Sequence, residues 1–231
     1  MLQLDWELPT GVGAIVTTVD QPGNLAAHVN AEPTEVIRHR RHLVTQANLP
    51  SAPRWLRQVH SNKVVHFSNA RITQTADAIY ANQAHAVCAV LTADCLPILL
   101  CSADGQEIAA VHAGWRGLLS GVIENTIHQF QCKPSAIRAY IGPAISVAAF
   151  EVGADVYSAC EKLQLVDAQT FRPHVSGKWM ADLPQMAERL LHRVGCADVH
   201  LSGLCTYNDA RFYSYRRDPN CGRIATLIWK K

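Results

Sequence analysis

Residues 91–117 read LTADCLPILLCSADGQEIAAVHAGWRG, and no other stretch constrains the fold as strongly. Two apolar runs, residues 97–101 and 107–111, flank Ser102-Ala103-Asp104-Gly105. Asp-Gly between strand-like runs is a strong hairpin signal, because tight hairpin turns need residues that tolerate positive φ. In an antiparallel pair the start of one strand lies beside the end of the next. Cys95, just before the first run, and His112, ending the second, are thereby expected to meet. A thiolate and an imidazole at one sheet end suit a metal ion or a nucleophilic pair. The competing reading is a packed cysteine and a histidine that is only hydrogen-bonded. After His112, Ala113-Gly114-Trp115-Arg116-Gly117 reads as a tight turn into an apolar helix over residues 118–130. N–H groups at such a helix start could hold an anion.

The chain has 231 residues, enough for one large domain or two small ones. Near-half apolar content with 17% charged residues describes an ordinary soluble globule. A formal net charge of +2 gives no reason to expect a nucleic-acid partner. The longest apolar stretches are strand-sized, so no membrane span is expected. Met1-Leu2-Gln3-Leu4-Asp5-Trp6-Glu7 lacks a basic n-region and an apolar h-region, which reads as a cytoplasmic address. The eight cysteines are scattered without a C-x-x-C pair, so they read as reduced packing residues and not as a disulfide framework or zinc ribbon.

Along the chain, residues 13–19 read as a strand, Gln21-Pro22-Gly23-Asn24 as a turn and residues 24–30 as mostly extended. Asn30 is a candidate N-cap for a helix running to about Asn48, with Pro33 in its first turn. Val36, Leu43, Val44 and Ala47 mark its buried side, and the basic cluster at residues 38–42 reads as a solvated face. Residues 55–59 read as a strand ending at His60, followed by a second at 64–67. Thr75-Ala76-Asp77-Ala78-Ile79 reads as a loop leading into a short strand, and residues 86–91 lead as a strand into the central stretch. Further on, residues 137–141 suggest a strand, 152–163 a helix, and 183–194 a helix capped by Asp182 and stopped by Gly195. Residues 199–204, 212–215 and 224–229 read as strands. Hairpins mixed with isolated helices fit an α+β fold better than a doubly wound sheet. With no internal repeat and no convincing linker, residues 1–231 read as one domain.

His60, Cys95 and His112 share one context, an expected strand end beside a polar or glycine-containing turn. Two imidazoles and one thiolate are good ligands for zinc, and three protein ligands leave a fourth position open, the catalytic arrangement. Arg57-Gln58-Val59-His60-Ser61, Thr92-Ala93-Asp94-Cys95-Leu96-Pro97, Ala110-Val111-His112-Ala113-Gly114-Trp115-Arg116-Gly117 and Ile141-Gly142-Pro143 resemble the laccase-domain family. Its members are named polyphenol oxidases and zinc-dependent purine nucleoside phosphorylases. Phe150-Glu151-Val152-Gly153, Cys205-Thr206, Tyr213-Ser214-Tyr215-Arg216-Arg217-Asp218 and Gly222-Arg223 extend the resemblance over nearly the whole chain. It implies a layered α/β/β/α fold similar to bacterial glutamine-deamidating toxins. It also places the family's metal ligands on His60, Cys95 and His112. Ser61 stands where the family often has glycine, and Ala144, Ala149 and Phe150 depart from its pattern after Ile-Gly-Pro; these changes spare the three ligands.

The resemblance implies phosphorolysis of adenosine, inosine, guanosine or methylthioadenosine, with adenosine deamination as an associated activity. Zinc is the implied cofactor and copper the alternative ion. Asp94 is the carboxylate nearest in sequence to relay a proton, or else it caps its turn. Arg57 and Arg116 are candidate phosphate holders, with surface salt bridging as the rival role. Asn24 and Gln58 are candidates for contacting the nucleoside, with turn hydrogen bonding as the rival. Trp115, Tyr213 and Tyr215 could line a base pocket or simply pack. Two other chemistries stay open: copper-dependent phenol oxidation, and amide hydrolysis of a serine-containing cell-wall precursor, by Cys95 activated by His112 or by a zinc-supported hydroxide. A monomer is the default expectation.

Overall fold

A computed structural model of the chain describes residues 1–29, 31–69 and 74–231. In chain order the elements begin with β1 (Leu2–Gln3), β2 (Val12–Val16) and α1 (Pro33–Gln46). The central region holds β3 (Val64–His66), β4 (Ala78–Ala81), β5 (Val87–Thr92), β6 (Leu96–Ser102) and β7 (Ile108–Ala113), then α2 (Trp115–Leu119) and α3 (Val122–Ile127). After β8 (Ile137–Ile141) and β9 (Glu151–Val152) come α4 (Ala154–Lys162), β10 (Phe171–Pro173), β11 (Trp179–Ala181) and α5 (Leu183–Arg193). The last strands are β12 (Asp198–Leu201) and β13 (Ile224–Lys230).

The Asp104-Gly105 hairpin is present and sits in the middle of a six-stranded sheet ordered β12-β8-β6-β7-β4-β3. Its register sets Leu96 opposite Ala113 and Pro97 opposite His112. Gly105 adopts φ +71°, which the turn requires and glycine permits. A second sheet, β1-β2-β13-β5, lies on one face of the first. The period-two alternation of strands explains how β6 serves both faces. Leu99 and Cys101 pack with Val90 and Ile228 between the sheets. Leu96, Ile98 and Leu100 pack with Leu118, Ile123, Met186 and Leu190 beneath the helices. On the outer face of the four-stranded sheet, Leu43 of α1 packs with Val87, Ala89, Leu227 and Trp229. Helix, sheet, sheet and helices thus stack in layers, in a mixed α+β arrangement as expected.

Several boundaries differ from the sequence reading. Residues 55–59 form no strand; the segment is extended, with isolated bridges at Arg54–Cys88 and Arg57–Thr75. The physical reason is a side chain: Gln58 donates to the carbonyl of Leu91 at 2.7 Å and accepts from its N–H at 2.8 Å, taking the place of a backbone ladder. Residues 212–215 likewise form no strand; the segment is a bend and irregular backbone leading into a turn at Tyr215, held by side chains: Asp209 accepts the N–H of Arg211, and Ser214 Oγ accepts that of Arg217. The helix expected over residues 118–130 starts earlier, at Trp115, and is split into α2 and α3 at Gly121, whose φ is +92°. Residues 151–152 are strand, pairing with β11 in a small sheet β10-β11-β9 that the sequence did not suggest. The candidate N-cap Asn30 lies outside the described residues; the helix begins at Pro33 after Glu32. The Asp182 cap of α5 is present, its side chain accepting the N–H of Gln185 at 3.0 Å. The basic cluster divides. Arg38, Arg41 and His42 are exposed, whereas Arg40 donates twice to the carbonyl of Leu25 and His39 Nδ1 lies 3.0 Å from that of Asn24. All eight cysteines are free thiols.

Candidate metal centre

Cys95 and His112 are brought together by the β6–β7 register, and His60 joins them from the extended segment before β3. One ligand atom from each lies within 4.8 Å of the other two. His60 Nε2 is 3.6 Å from Cys95 Sγ, and the two imidazoles meet edge to face with centroids 4.8 Å apart. His112 is buried, Cys95 is half-buried and His60 is exposed, so the cluster opens to solvent on the His60 side.

His60 does not end a strand. It has φ +60°, a left-handed conformation costly for a residue with a Cβ, on the order of 1–3 kcal/mol. The conformation is held by Asp77, a carboxylate with no exposed surface. Asp77 accepts the backbone N–H groups of Val59, His60 and Ser61 and the Ser61 hydroxyl, the last at 2.6 Å. Its Oδ1 also accepts the Nδ1–H of His112 at 2.8 Å. One carboxylate therefore sets the backbone of one histidine and the ring of the other. With a proton held on Nδ1 by Asp77, the neutral ring would turn its Nε2 lone pair toward a metal ion, as a ligand requires. Ser61 supplies two of these bonds, one from its N–H and one from its hydroxyl.

Asp94 braces the third member. Its φ is +89°, and its buried carboxylate accepts the Thr206 hydroxyl at 2.6 Å and the Arg216 N–H at 2.7 Å. The turn carrying Cys95 is thus tied to the loop after β12. Gly114 closes the other side. A Cβ there would lie 2.5 Å from His60 Cδ2 and 3.1 Å from Cys95 Sγ, so only glycine lets the two ligand side chains reach their positions.

The electrostatics follow from these contacts. Burial by itself would push the Cys95 thiol up, but hydrogen bonds from His112 and His60, and their charges, hold it down to about 6. Burial would lower His112, yet its bonds to Asp77 and Cys95 raise it to about 9. Asp77 is held at about 2, because its bonds to His112 and Ser61 outweigh its burial. A thiolate is thus available near neutral pH.

The three donors, within 4.8 Å of one another, could hold a metal ion, and one of their edges has the length a tetrahedral ion sets. With zinc–sulfur about 2.3 Å and zinc–nitrogen about 2.1 Å, a tetrahedral angle sets a sulfur–nitrogen edge of about 3.6 Å, the separation found between Cys95 and His60. The thiolate, two imidazoles, a carboxylate behind one of them and the glycine cradle all favour a metal here. Among the described residues this is the one such cluster of three close ligand atoms.

The remaining candidates lie at varied distances from it. Arg116 follows Gly114 closely, is exposed, and rests on the Trp115 ring at 4.3 Å. Arg57 is exposed and lines a large cleft that contains none of the three candidate ligands. Gln58 is engaged with Leu91 as described. Asn24 Oδ1 accepts the N–H groups of Ala26 and Arg223, each at 2.9 Å, and its amide donates to the Ala26 carbonyl. Tyr215 is exposed, while Tyr213 packs with Val16, Phe212 and Ile224. The residue that sequence reasoning missed is Asp77. The available signal was an aspartate directly before the fully buried strand Ala78–Ala81, where an ionised group needs several donors.

The chain has relatives that match it along nearly all of its length. Purine nucleoside phosphorylase YfiH of Shigella flexneri is 44% identical over 97% of this chain and 96% of its own. The protein of the same name from Escherichia coli K12 is 42% identical over the same shares. A crystal structure of a Neisseria meningitidis protein superposes with a TM-score of 0.93 at 41% identity, covering 100% of this chain and 98% of that one. No helix among the described residues is long and apolar enough to cross a membrane. Residues 12–231 match the model of one protein family, and the chain belongs to that family, described as multi-copper polyphenol oxidoreductase laccase.

Proposed function

We propose that the chain is a purine nucleoside phosphorylase, acting on adenosine, inosine, guanosine and methylthioadenosine and also deaminating adenosine, with a zinc ion held by His60, Cys95 and His112. The observation that carries this reading is the convergence of those three side chains within 4.8 Å, in a chain 44% identical to a protein named for that activity. A divalent ion at this site, when bound, supplies Lewis-acid polarisation of a substrate group or of water. The chain's own residues do the rest. Phosphorolysis joins a phosphate oxygen to the sugar carbon as the carbon–nitrogen bond breaks, and the purine leaves with the electron pair. The phosphate must be held beside the sugar, and Arg116, exposed two residues beyond Gly114, is the guanidinium assigned to it. Arg57 lies further along the His60 segment and is assigned to a phosphate arriving from the cleft. Asp94, with both oxygens engaged, holds Cys95 and the Arg216 loop in place; it can relay a proton only by releasing one of those bonds. Asn24 and Gln58 fix the backbone around the nucleoside site through the bonds they already make. The chain is assigned as one catalytic unit over residues 1–231, monomeric and cytoplasmic, with no nucleic-acid or membrane partner.

The test is release of free purine from nucleosides with and without phosphate, on protein purified without added metal and on the same protein after chelation. Phosphate-dependent release that is lost on chelation and regained with zinc supports the reading. Undiminished turnover by metal-free protein overturns it.

A second reading is favoured by one arrangement: Cys95, His112 and Asp77 stand in the order nucleophile, base and orienting carboxylate. Without metal this is the constellation of a thiol-dependent amide hydrolase. Metal-free protein that hydrolyses a serine-containing cell-wall precursor and loses that activity on alkylation of Cys95 would favour it. Copper-dependent phenol oxidation needs steady oxygen consumption after copper loading, and the absence of such consumption ends that claim.

A further inference from the structure

A cavity of about 1120 Å³ lies between the 51–59 segment, Ala27-His28 and Gln83-Ala84-His85. It shares no residue with the His60–Cys95–His112 cluster, although Arg57 and Gln58, which the phosphorylase reading assigns to phosphate and to the nucleoside surroundings, also line it. Its volume is just above the usual span of small-molecule sites, roughly 300–1,000 Å³. Its composition is one-sided. Arg40, Arg54 and Arg57 line it together with His28 and His85, and no aspartate or glutamate is among its described lining residues. The chain as a whole has nearly as many acidic as basic residues, 19 against 21, so this segregation of charge is local. Burial, followed by the charges of Arg223 and Arg40, lowers the pKa of His28, which registers the same positive field.

The cavity also has an apolar floor. Leu56, Phe67 and Leu91 are buried there, and Trp55 is half-buried. The guanidinium of Arg40 lies over the Trp55 ring at 4.5 Å, and that of Arg54 over the Phe67 ring at 5.3 Å. These stacks preorganise two flat cations without neutralising them, because a ring quadrupole is not a counter-ion. Arg40 spends two N–H groups on the Leu25 carbonyl, whereas Arg54 and Arg57 are exposed and form no ion pair among the described residues. Cations held in place beside an apolar wall, with no carboxylate to satisfy them, recognise a ligand with several negative charges at one end and a planar apolar group at the other.

We propose that this cleft is a second ligand site, separate from the candidate metal centre, for an anion of the nucleoside-diphosphate class. The phosphates meet Arg54 and Arg57, and the base lies on the apolar floor.

The experiment is calorimetric titration of Cys95→Ser, in which turnover of adenosine at the metal centre is disabled, with ADP, with adenosine and with inorganic pyrophosphate, each separately, and of the zinc-loaded chain with ADP beside it. ADP should bind at least about tenfold more tightly than either fragment, and its affinity should fall as salt rises. Arg54→Glu should weaken ADP by about tenfold or more while the melting temperature stays unchanged. Cys95→Ser, at the metal centre, should leave ADP binding intact. Three results overturn the proposal: ADP no tighter than adenosine or pyrophosphate, ADP binding unaffected by Arg54→Glu, or ADP binding lost in Cys95→Ser, which would place the nucleotide at the metal centre.

Discussion

Asp77 Oδ1 lies 2.8 Å from His112 Nδ1, and the same carboxylate accepts the backbone N–H groups of Val59, His60 and Ser61. The contact ties the hairpin that carries His112 to the extended segment that carries His60. Neither the strand register nor the sheet alone would place those two imidazoles together.

The consequence is testable by Asp77→Asn, which keeps size and removes charge. The amide can still accept some of the backbone bonds but no longer stabilises the Nδ1–H tautomer as an anion does. We expect zinc affinity to fall about 10- to 100-fold, the usual cost of losing such a partner behind a ligating histidine. Competition against a chromophoric chelator measures it. A cobalt-substituted sample, whose thiolate charge-transfer band reports geometry, separates a reoriented ligand from an unfolded protein. Unchanged affinity and spectrum would mean that Asp77 only stitches backbone.

Gly114→Ala tests the cradle from its other wall. The added methyl would stand 2.5 Å from the His60 ring and 3.1 Å from the Cys95 sulfur. Gly114 has φ −64°, so alanine brings no backbone strain and the effect is steric. We expect metal stoichiometry well below one per chain with an unchanged circular-dichroism spectrum. Full zinc occupancy in this variant would show that the ligands sit elsewhere.

These two residues also show how much the sequence revealed. The hairpin, the Cys95–His112 pairing and the capped helix α5 were legible because each depends on local chemistry: a turn dipeptide, a strand period, an N-cap aspartate. His60 was grouped with Cys95 and His112 from an expected strand end that the structure does not show, and the resemblance placed it in the same site. Its segment pairs through the Gln58 side chain and the Asp77 carboxylate, and such long-range side-chain substitutes for a ladder leave no periodic trace. The irregular segment over residues 212–215 was misread as a strand for the same reason. Phe212 is fully buried among Val16 and Ile224, so its apolar neighbourhood looks strand-like while side chains hold the backbone.

Gln58→Ala separates anchoring from substrate contact. The amide satisfies both the N–H and the carbonyl of Leu91, and removing it strands two partly buried backbone groups. We expect a loss of about 1–3 kcal/mol in denaturant unfolding. A Michaelis constant that rises while stability holds would instead make Gln58 a substrate ligand.

The last expectation concerns pH in metal-free protein. Cys95 is depressed to about 6, so its contribution to stability is complete above the ordinary thiol value of about 8.5 and is lost as pH falls through about 6. His112 is raised to about 9, so its contribution is complete below the ordinary imidazole value of about 6.5 and is lost as pH rises through about 9. Between those limits one proton has moved from sulfur to nitrogen within the fold, and the two slopes oppose each other. The pair should therefore add little pH dependence from about 6.5 to 8.5. Asp77, held at about 2, contributes above the ordinary carboxylate value of about 3.9 and loses that contribution as pH falls through about 2. The thiolate itself is read by alkylation: the rate at Cys95, followed by peptide mass spectrometry, should rise with a midpoint near 6 and be suppressed by zinc. A midpoint near that of an ordinary thiol would remove the electrostatic basis for both the metal and the nucleophile readings.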